Sequence, residues 1–227
     1  MILFEHTEVS GWEAALRGMR NPMNSWDRAD SYFGLEGMSM GENDYKLAKK
    51  LADAGQVHAK YLRMINVTTD ITAPMYWWQE FDTYKVGTVR NPCSKMHKIH
   101  AKEFTMDDFS HEHLHSHVYY FRDKIDEKGL TYMNSDPIKF LENLIYGLNY
   151  YRMKYLETKD KQYWWQMIQL LPASYNQRST VQLNYAVLKN IWEYRRDHKL
   201  DEWRDFCAWI VRLPYSKLIT GGNDAES

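Results

Sequence analysis

Cysteine is scarce in this chain, with only Cys93 and Cys207 among 227 residues. Two thiols are too few for a disulfide framework or a cysteine-rich zinc site, and such sparing use is typical of a reducing compartment. Long apolar runs are also missing, since no stretch approaches the roughly 18 uninterrupted apolar residues of a membrane helix. The first residues lack a basic region followed by an apolar run. We therefore expect a cytoplasmic protein that has no membrane partner.

The sequence also lacks an excess of charge of one sign. Lysine and arginine number 29 against 30 acidic residues, which gives a formal net charge of -1. No overall field favours nucleic acid, so we expect no nucleic-acid partner, and an anionic ligand would need a local cluster of cations. Glycine-rich phosphate loops of the Walker and dinucleotide-binding types are absent as well. Phosphate groups would therefore be bound by arginine, lysine and hydroxyl side chains.

Aromatic residues, by contrast, are abundant at 15%, with nine tryptophans and seventeen tyrosines. Such side chains can stack on flat ligands, but they serve equally well in a bulky core or a subunit interface. Because large aromatics dominate buried area in most proteins, we favour the core or interface.

The first half of the sequence predicts helix and strand in turn. Apolar residues at helical spacing predict a short amphipathic helix over 43–55. Strict alternation over 65–71 is the strongest strand signal. Thr72-Ala73-Pro74 then opens a predicted helix from Met75 to Tyr84. The glycine and proline within Val86 to Met96 predict a loop or an irregular strand.

The second half is predicted to be helical. Acidic residues and prolines at helix starts, glycines at helix ends and apolar residues at helical spacing carry this prediction. The predicted helices cover residues 106–128, 135–148, 180–195 and 203–210.

Nothing in the sequence marks a boundary between domains. It shows no internal repeat and no linker. We expect an α+β fold in a single domain over 1–220. A disordered tail is expected over 221–227, which has no apolar residue larger than alanine.

A run of histidines between 111 and 117 raises the question of a metal site. On a helix, His111 would pair with His115, and His113 with His117. The two pairs would point about 200° apart by the 3.6-residue repeat, so four ligands cannot converge on one ion. We expect no metal and interpret the run as a solvated helical face.

Covalent catalysis by cysteine would need an activated thiolate. Cys207 lies in an apolar helical pattern and is interpreted as core. Cys93 lies near His97 and two lysines, which can activate a thiol but need not. We therefore assign no nucleophilic role to either cysteine.

Two groups of polar residues are candidates for binding an anionic ligand, although scattered charges are normally solvated surface. In the second group, Asn190 and Arg195 share a predicted helix with Trp192 and Tyr194, on which a flat ligand could lie. The first group is Lys85, Thr88, Arg90, Asn91, Ser94 and Lys95, and the second is Arg178, Asn184, Asn190, Arg195 and His198.

These groups resemble the two motifs of the flavin-dependent thymidylate synthases. That family carries Arg-His-Arg-x-x-Ser-x-x-Glu-x-Ser-x-Arg-Tyr after an Ala-Pro dipeptide and a helix, and residues 83–96 stand in the same register. Leu171-Pro172 and the polar residues that follow match the second motif in spacing through Arg195. The first motif has Lys85 for Arg, Thr88 for Ser, Asn91 for Glu, Cys93 for the second Ser and Lys95 for the last Arg.

The resemblance spans residues 10–215 and implies a mixed α/β core with long helices, assembled as a homotetramer whose active sites form between subunits. It implies FAD as cofactor, NADPH and methylenetetrahydrofolate as co-substrates, and conversion of dUMP to dTMP without a protein nucleophile. A flavin-dependent modification of another pyrimidine nucleotide and a catalytically silent nucleotide-binding homologue are the alternatives.

By the same resemblance, Arg195 contacts the pyrimidine and is the catalytic residue, since a guanidinium can bind a carbonyl edge and polarise the ring. Where the family has a Glu-His pair, this chain has Arg63-Met64, and Arg63, Arg90 and Lys95 are available to replace lost phosphate contacts. The implied flavin contacts are Tyr84, Lys85, Asn184, Asn190 and His198, and the implied nucleotide contacts are Glu80, Thr88, Asn91, Cys93, Lys95, Arg178 and Arg195.

Overall fold

The computed structural model describes residues 1–34, 37–116, 119–126 and 129–222. Among these residues, no helix is long and apolar enough to cross a membrane. The chain divides into two compact units. The sheet unit comprises residues 2–72, 77–92 and those from Arg178 onward, and the hairpin unit comprises Met1, 73–76 and 93–177.

Strands and helices alternate along much of the chain, with short 3-10 turns between some of them. The strands are β1 Leu3–Ser10, β2 Tyr32–Gly34, β3 Gly37–Ser39, β4 Asn66–Pro74, β5 Val89–Pro92, β6 Tyr119–Asp126, β7 Gly129–Ser135 and β8 Asn176–Asn184. The helices are α1 Trp12–Arg20, α2 Glu42–Asp53, α3 Met75–Phe81, α4 Lys95–Lys98, α5 Pro137–Thr158, α6 Lys161–Leu170, α7 Tyr185–Arg195, α8 Asp201–Val211 and α9 Lys217–Thr220.

The sheet unit is built on a four-stranded sheet in the order β1-β4-β8-β5. Strand β1 runs antiparallel to β4, with Phe4 opposite Ile71, and β5 runs antiparallel to β8, with Arg90 opposite Val181. The alternation that predicts β4 is confirmed, because Val67, Thr69 and Ile71 are buried while Thr68 and Asp70 between them are only half-buried. Side chains of a strand point to opposite faces in turn. One face of β4 therefore enters the core and the other carries polar groups.

Aromatic side chains form much of the core of the sheet unit. Trp77, Trp78 and Phe81 of α3 are at most 2% exposed. The ring of Trp77 lies 5.0 Å from that of Trp203 and 5.7 Å from that of Phe206, both on α8. Aromatic pairs of this kind contribute about 0.5–1.5 kcal/mol each beyond the area they bury. Part of the aromatic surplus is thus core, as the composition predicts.

Helices α5 and α6 organise the hairpin unit, together with the antiparallel pair β6 and β7. The carboxylate of Asp136 accepts a hydrogen bond from the backbone N–H of Ile138 at 3.0 Å and caps α5. The predicted start of this helix is therefore confirmed, although it continues past Leu148 to Thr158. The buried core of the unit consists of Ile99, Phe104, Phe109, Leu141, Leu148, Trp164 and Met167.

The predicted helix over 106–128 is wrong. Among the residues of this range that the structure describes, only Met106–Asp108 is helical, as a single 3-10 turn, and strand β6 lies further on. The acidic residues do open a helical turn, but the aromatic sequence Tyr119-Tyr120-Phe121 favours a strand. Gly129 does not end a helix, because it lies opposite Asp126 in the β6–β7 pair.

The predicted helix over 180–195 begins too early. Strand β8 continues to Asn184, and α7 begins only at Tyr185. Val181 is β-branched and suits a strand, although its spacing to the later apolar residues also fits a helix. The side chain of Asn184 accepts a hydrogen bond from the backbone N–H of Val187 at 3.1 Å and marks the true start. The second half of the chain is therefore not wholly helical.

The remaining predicted elements agree in kind but differ in extent. The helix predicted over 43–55 is α2, and the one predicted over 203–210 is α8. The segment 86–96 contains β5 in its middle and ends in α4, so an irregular strand describes it better than a loop. Of the predicted tail, Gly221 and Gly222 are described, and 223–227 lie outside the described residues.

Candidate functional site

Arg195, the last residue of α7, is the centre of a polar cluster in the sheet unit. Its Nε donates a hydrogen bond to the hydroxyl of Tyr84 at 2.9 Å, and its Nη1 donates to Oε2 of Glu80 at 2.8 Å. The guanidinium carbon lies 4.6 Å from the ring centroid of Trp203. A cation over a tryptophan face is attracted by the ring quadrupole. Three neighbours thus fix the orientation of this arginine.

Glu80 joins three elements through one oxygen atom. Besides Arg195, Oε2 accepts a hydrogen bond from Nε1 of Trp203 at 3.0 Å, and Nε2 of His198 lies 3.6 Å away. In the part of the chain that the structure describes, nothing bonds to Oε1 of Glu80 or to Nη2 of Arg195. One acceptor and one donor group of this ion pair therefore stay available to a ligand.

His198 has a defined orientation of its ring nitrogens. Its Nδ1 faces the backbone N–H of Leu200 at 3.2 Å and accepts from it. A neutral imidazole that accepts at Nδ1 carries its hydrogen on Nε2, which points toward Glu80. The histidine therefore presents a donor to the same carboxylate that holds Arg195.

A cavity of about 690 Å³ lies in the sheet unit beside this cluster. Four of the predicted flavin contacts line it, namely Tyr84, Lys85, Asn184 and Asn190. Tyr84 joins the two places, because its hydroxyl bonds to Arg195 while the residue lines the cavity. The other lining residues are Ala52, Asp53, Gly55, Gln56, Ala59, Leu62, Arg63, Thr83, Val86, Gly87, Ala186, Val187, Lys189 and Glu193.

Gly87 forms a wall of the cavity where no other residue fits easily. Its φ of +78° lies in the left-handed region. A Cβ at this position would lie 2.9 Å from Nδ2 of Asn184 and 3.2 Å from Cγ2 of Val187. The chain at Gly87 therefore passes close to the first turn of α7, and the cavity keeps its shape only with glycine here.

The lining of the cavity suits a flat ligand that carries both apolar and polar groups. Leu62, Ala59 and Val187 supply apolar walls, and the amides of Asn184 and Asn190 supply donors and acceptors. Cationic side chains are also present. The residues available thus fit a flavin, whose ring system is flat and whose remainder is polar.

Arg178, a predicted nucleotide contact, is engaged on the polar face of the sheet. Its Nη1 donates to Oε2 of Glu5 at 2.8 Å, and its Nη2 donates to Oδ2 of Asp70 at 2.7 Å. A hydrogen bond from Thr180 and the interaction with Arg178 lower the pKa of Asp70 to about 2. Both ends of this guanidinium are therefore occupied by carboxylates.

The region around β5 engages further polar residues. Nη1 of Arg90 donates to both oxygens of Asp82, at 2.9 and 2.8 Å, and its guanidinium carbon lies 3.8 Å from the ring centroid of Trp78. Asn91, a predicted nucleotide contact, is exposed on β5. The hydroxyl of Thr88, another predicted contact, is buried and bonds to none of the described residues.

Cys93 and Lys95, the last predicted nucleotide contacts, belong to the hairpin unit. Cys93 is exposed, and its carbonyl oxygen accepts a hydrogen bond from Nε2 of Gln177 at 2.7 Å. Nζ of Lys95 lies 2.9 Å from Sδ of Met75. Cys207 is buried, as expected for a core residue, and burial raises the pKa of its thiol to about 11.

The histidine run is not helical where it is described. Residues 111–116 form a turn and irregular backbone, so the predicted helical face is wrong, and His117 lies outside the described residues. Residues 111–115 also spell His-Glu-x-x-His, but that zinc motif needs both histidines on one face of a helix. Nδ1 of His111 instead faces the carbonyl of Phe109 at 2.8 Å. No group of three or more metal-ligating side chains is present among the described residues.

The sequence assigned no site role to Gly87 or Trp203, and it predicted Arg63 only as a replacement for lost phosphate contacts. Arg63 and Gly87 line the cavity, and Trp203 lies under Arg195. For Gly87 the signal was its place in an irregular segment between Val86 and Thr88, where glycine marks a turn or loop. For Trp203 no local pattern separates it from other core tryptophans.

Comparison with known proteins supplies the last observation. No protein-family model and no curated protein matches the sequence. A crystal structure of thymidylate synthase X from Helicobacter pylori with FAD and dUMP is similar, with 16% identity, a TM-score of 0.63, and 96% of this chain and 95% of that chain covered. A second structure, of flavin-dependent thymidylate synthase from Helicobacter pylori complexed with FAD and dUMP, gives the same identity and TM-score and covers 96% of both chains. The chain therefore has the fold of the flavin-dependent thymidylate synthases, as its two motifs predict.

Proposed function

We propose that this protein is a flavin-dependent enzyme that reductively methylates a pyrimidine nucleotide, with conversion of dUMP to dTMP as the first candidate. One observation carries the proposal: the Arg195–Glu80 pair adjoins, through Tyr84, a cavity lined by four predicted flavin contacts. The similar structures from Helicobacter pylori contain FAD and dUMP. Fold alone does not fix function, so the proposal rests on the cavity and the arginine together.

Tyr84, Lys85, Asn184 and Asn190 are the residues that would hold FAD. Bound FAD supplies hydride chemistry, with NADPH and methylenetetrahydrofolate as co-substrates. His198 is the fifth predicted flavin contact. Its hydrogen on Nε2 gives it a donor at the edge of the Arg195 cluster.

Arg195 is proposed as the catalytic residue. Its unused Nη2 can donate to a ring carbonyl of the pyrimidine and stabilise negative charge that develops on the ring. Glu80, Tyr84 and Trp203 hold the guanidinium in place before the ligand arrives. A donor that is already oriented loses little free energy to reorganisation during the reaction.

The assembly proposed is a cytoplasmic homotetramer of single-domain chains, with active sites between subunits. In such an assembly Thr88, Asn91, Cys93 and Lys95 would contribute nucleotide contacts to a shared site. Exposed apolar side chains on α5, such as Tyr146 and Met153, are consistent with a further subunit packing there.

A catalytically silent nucleotide-binding homologue is the second candidate. The observation in its favour is that Arg90 and Arg178 are both neutralised by carboxylates. A phosphate would have to compete with those ion pairs. A modification of a different pyrimidine nucleotide is the third candidate, and the altered residues 83–96 favour it.

The deciding experiment uses the purified full-length protein. Its visible absorbance is recorded with and without added FAD, and dUMP, dCMP and deoxyuridine are then titrated in turn. We expect a bound-flavin spectrum that dUMP perturbs. Perturbation by dCMP alone would move the proposal to another nucleotide, nucleotide binding without flavin would favour the silent homologue, and no binding of either would reject the function.

A further inference from the structure

We infer that Arg63 and Lys85 form a phosphate-binding site inside the cavity of the sheet unit. The inference rests on the proposed function only in the identity of the ligand, a phosphate-bearing flavin or pyrimidine nucleotide. Arg63 lies in the 3-10 turn Lys60–Met64, and Lys85 lies in the loop before β5. Both side chains are exposed, and both residues line the same cavity.

The other candidate cations are engaged elsewhere in the fold. Arg90 is bound by both oxygens of Asp82 and lies over Trp78. Arg178 is bound by two carboxylates, and Lys95 belongs to the hairpin unit. Arg63 and Lys85, by contrast, form no ion pair with any described residue. Arg63 and Lys85 are therefore two cations of the cavity lining that a phosphate can bind without displacing a carboxylate.

The lining of the cavity contains three cations, Arg63, Lys85 and Lys189, and two acidic residues, Asp53 and Glu193. Asp53 is already paired with Lys49, which approaches from α2 outside the lining. Lys189 donates to the carbonyl of Ala52 at 2.6 Å, which is a neutral partner. Glu193 is the only acid of the lining without a described cation partner, so the cavity carries an excess of positive charge.

The chain has no glycine-rich loop that could cradle a phosphate with backbone N–H groups, so side chains must supply the donors. A guanidinium binds two phosphate oxygens at once, and an ammonium supplies a compact charge. Arg63 and Lys85 provide one of each.

The test is equilibrium binding by full-length Arg63→Gln and Lys85→Gln. Four probes are used: FAD and riboflavin, of which only FAD carries phosphate, together with an adenosine, and dUMP and deoxyuridine, which differ only in phosphate. For a phosphate-bearing probe we expect affinity to fall about tenfold or more in Arg63→Gln, as loss of a charge-assisted hydrogen bond requires. A smaller loss is expected in Lys85→Gln. Binding of the probe without phosphate should be unchanged.

The pattern of losses identifies the phosphate. A loss confined to FAD assigns the site to the flavin, and a loss confined to dUMP assigns it to the substrate nucleotide. Arg17→Gln is the matched control, because it removes the same charge from an exposed arginine on α1 outside the cavity.

Three outcomes would overturn the inference. Equal losses for the probes with and without phosphate would show that Arg63 acts on shape and not on charge. Unchanged affinity for all four probes would remove the site while leaving the proposed function intact. Failure of the unaltered protein to bind any of the four would reject the proposed function and the inference together.

Discussion

Arg195 and Arg178 both stand at arginine positions of the second motif, and both bond to carboxylates of the sheet unit. Their states differ. Both terminal nitrogens of Arg178 donate hydrogen bonds, to Glu5 and Asp70, across the polar face of the sheet. In Arg195, Nη1 donates to Glu80 and Nε donates to the hydroxyl of Tyr84, which leaves Nη2 available beside a cavity.

The comparison shows that matching a motif position does not make an arginine available. An arginine with all its strong donors paired inside the fold contributes to stability, and a ligand can bind it only by displacing its partners. An arginine that is oriented but incompletely paired is prepared for a ligand. On these grounds we expect Arg195 to act in the reaction and Arg178 to act in the fold.

The largest effect is expected for Arg195→Ala measured against Arg178→Ala. Loss of a preorganised donor to developing charge typically lowers turnover by about 100-fold or more. We therefore expect Arg195→Ala to lower kcat/KM for dUMP by at least about 100-fold with a modest change in Tm. Arg178→Ala should change kcat/KM less than about threefold and lower the free energy of unfolding. An equal fall in kcat/KM for the two variants would contradict the different roles assigned to these arginines.

A smaller effect is expected for Glu80→Gln. The amide keeps an acceptor for Trp203 but loses the charge that holds Arg195, so the guanidinium is positioned less well. We expect kcat to fall about tenfold with less than a threefold change in KM, because misplacement acts mainly on the chemical step. Glu193→Gln, at a cavity-lining glutamate that has no described partner, is the control. A rise in KM alone would show that Glu80 binds substrate and does not position Arg195.

The shape of the cavity can be tested at glycine. Gly87→Ala introduces both a strained φ and a Cβ that contacts Asn184 and Val187. Gly55→Ala introduces strain at φ +94° with no atom within 4 Å, so it measures the backbone cost alone. We expect Gly55→Ala to lower the free energy of unfolding by about 1 kcal/mol. Gly87→Ala should cost more and should also weaken FAD binding, and equal costs would mean that the close approach is unimportant.

The smallest effect concerns the pH dependence of the Arg178 side of the comparison. The pKa of Asp70 is lowered from 3.8 to about 2 by Thr180 and then by Arg178. A carboxyl group whose pKa is lowered by folding stabilises the folded protein at any pH above its ordinary pKa. This stabilisation is lost as the pH falls through the pKa of the folded state. Denaturant midpoints should therefore drop between about pH 4 and pH 2, and less so in Asp70→Asn. The same drop in that variant would assign the acid sensitivity to other carboxylates.

Local patterns predicted the elements whose signals agree with one another. The alternation over 65–71 became β4, and the acidic cap with a proline opened α5. Prediction failed where the spacing of apolar residues fits both a strand and a helix, as it does at Val181. It also failed near Tyr119, where a helix-start signal precedes strand-forming aromatics. The pairing partner of Val181 is Arg90 of β5, which lies far along the chain, so no local window contains that contact. Strand β6 pairs with the next strand, β7, so there the helix-start signal itself misled the prediction.

The candidate site was predictable as a set of residue types but not as a set of partners. The spacing of Asn184, Asn190 and Arg195 follows from one helix and its cap. Whether an arginine is engaged depends on residues far away in sequence, as Glu80 is from Arg195 and Asp70 is from Arg178. Those distances in sequence are bridged only by the folded sheet and helices.

Tyr84 belongs to two environments at once, since the residue lines the cavity while its hydroxyl accepts from Nε of Arg195. A ligand that packs on the ring restrains the hydroxyl, and through it the guanidinium. Occupation of the cavity and occupation of the arginine are then energetically linked, and such linkage is reciprocal. Each ligand would change the affinity for the other by one common factor, whichever of the two is bound first.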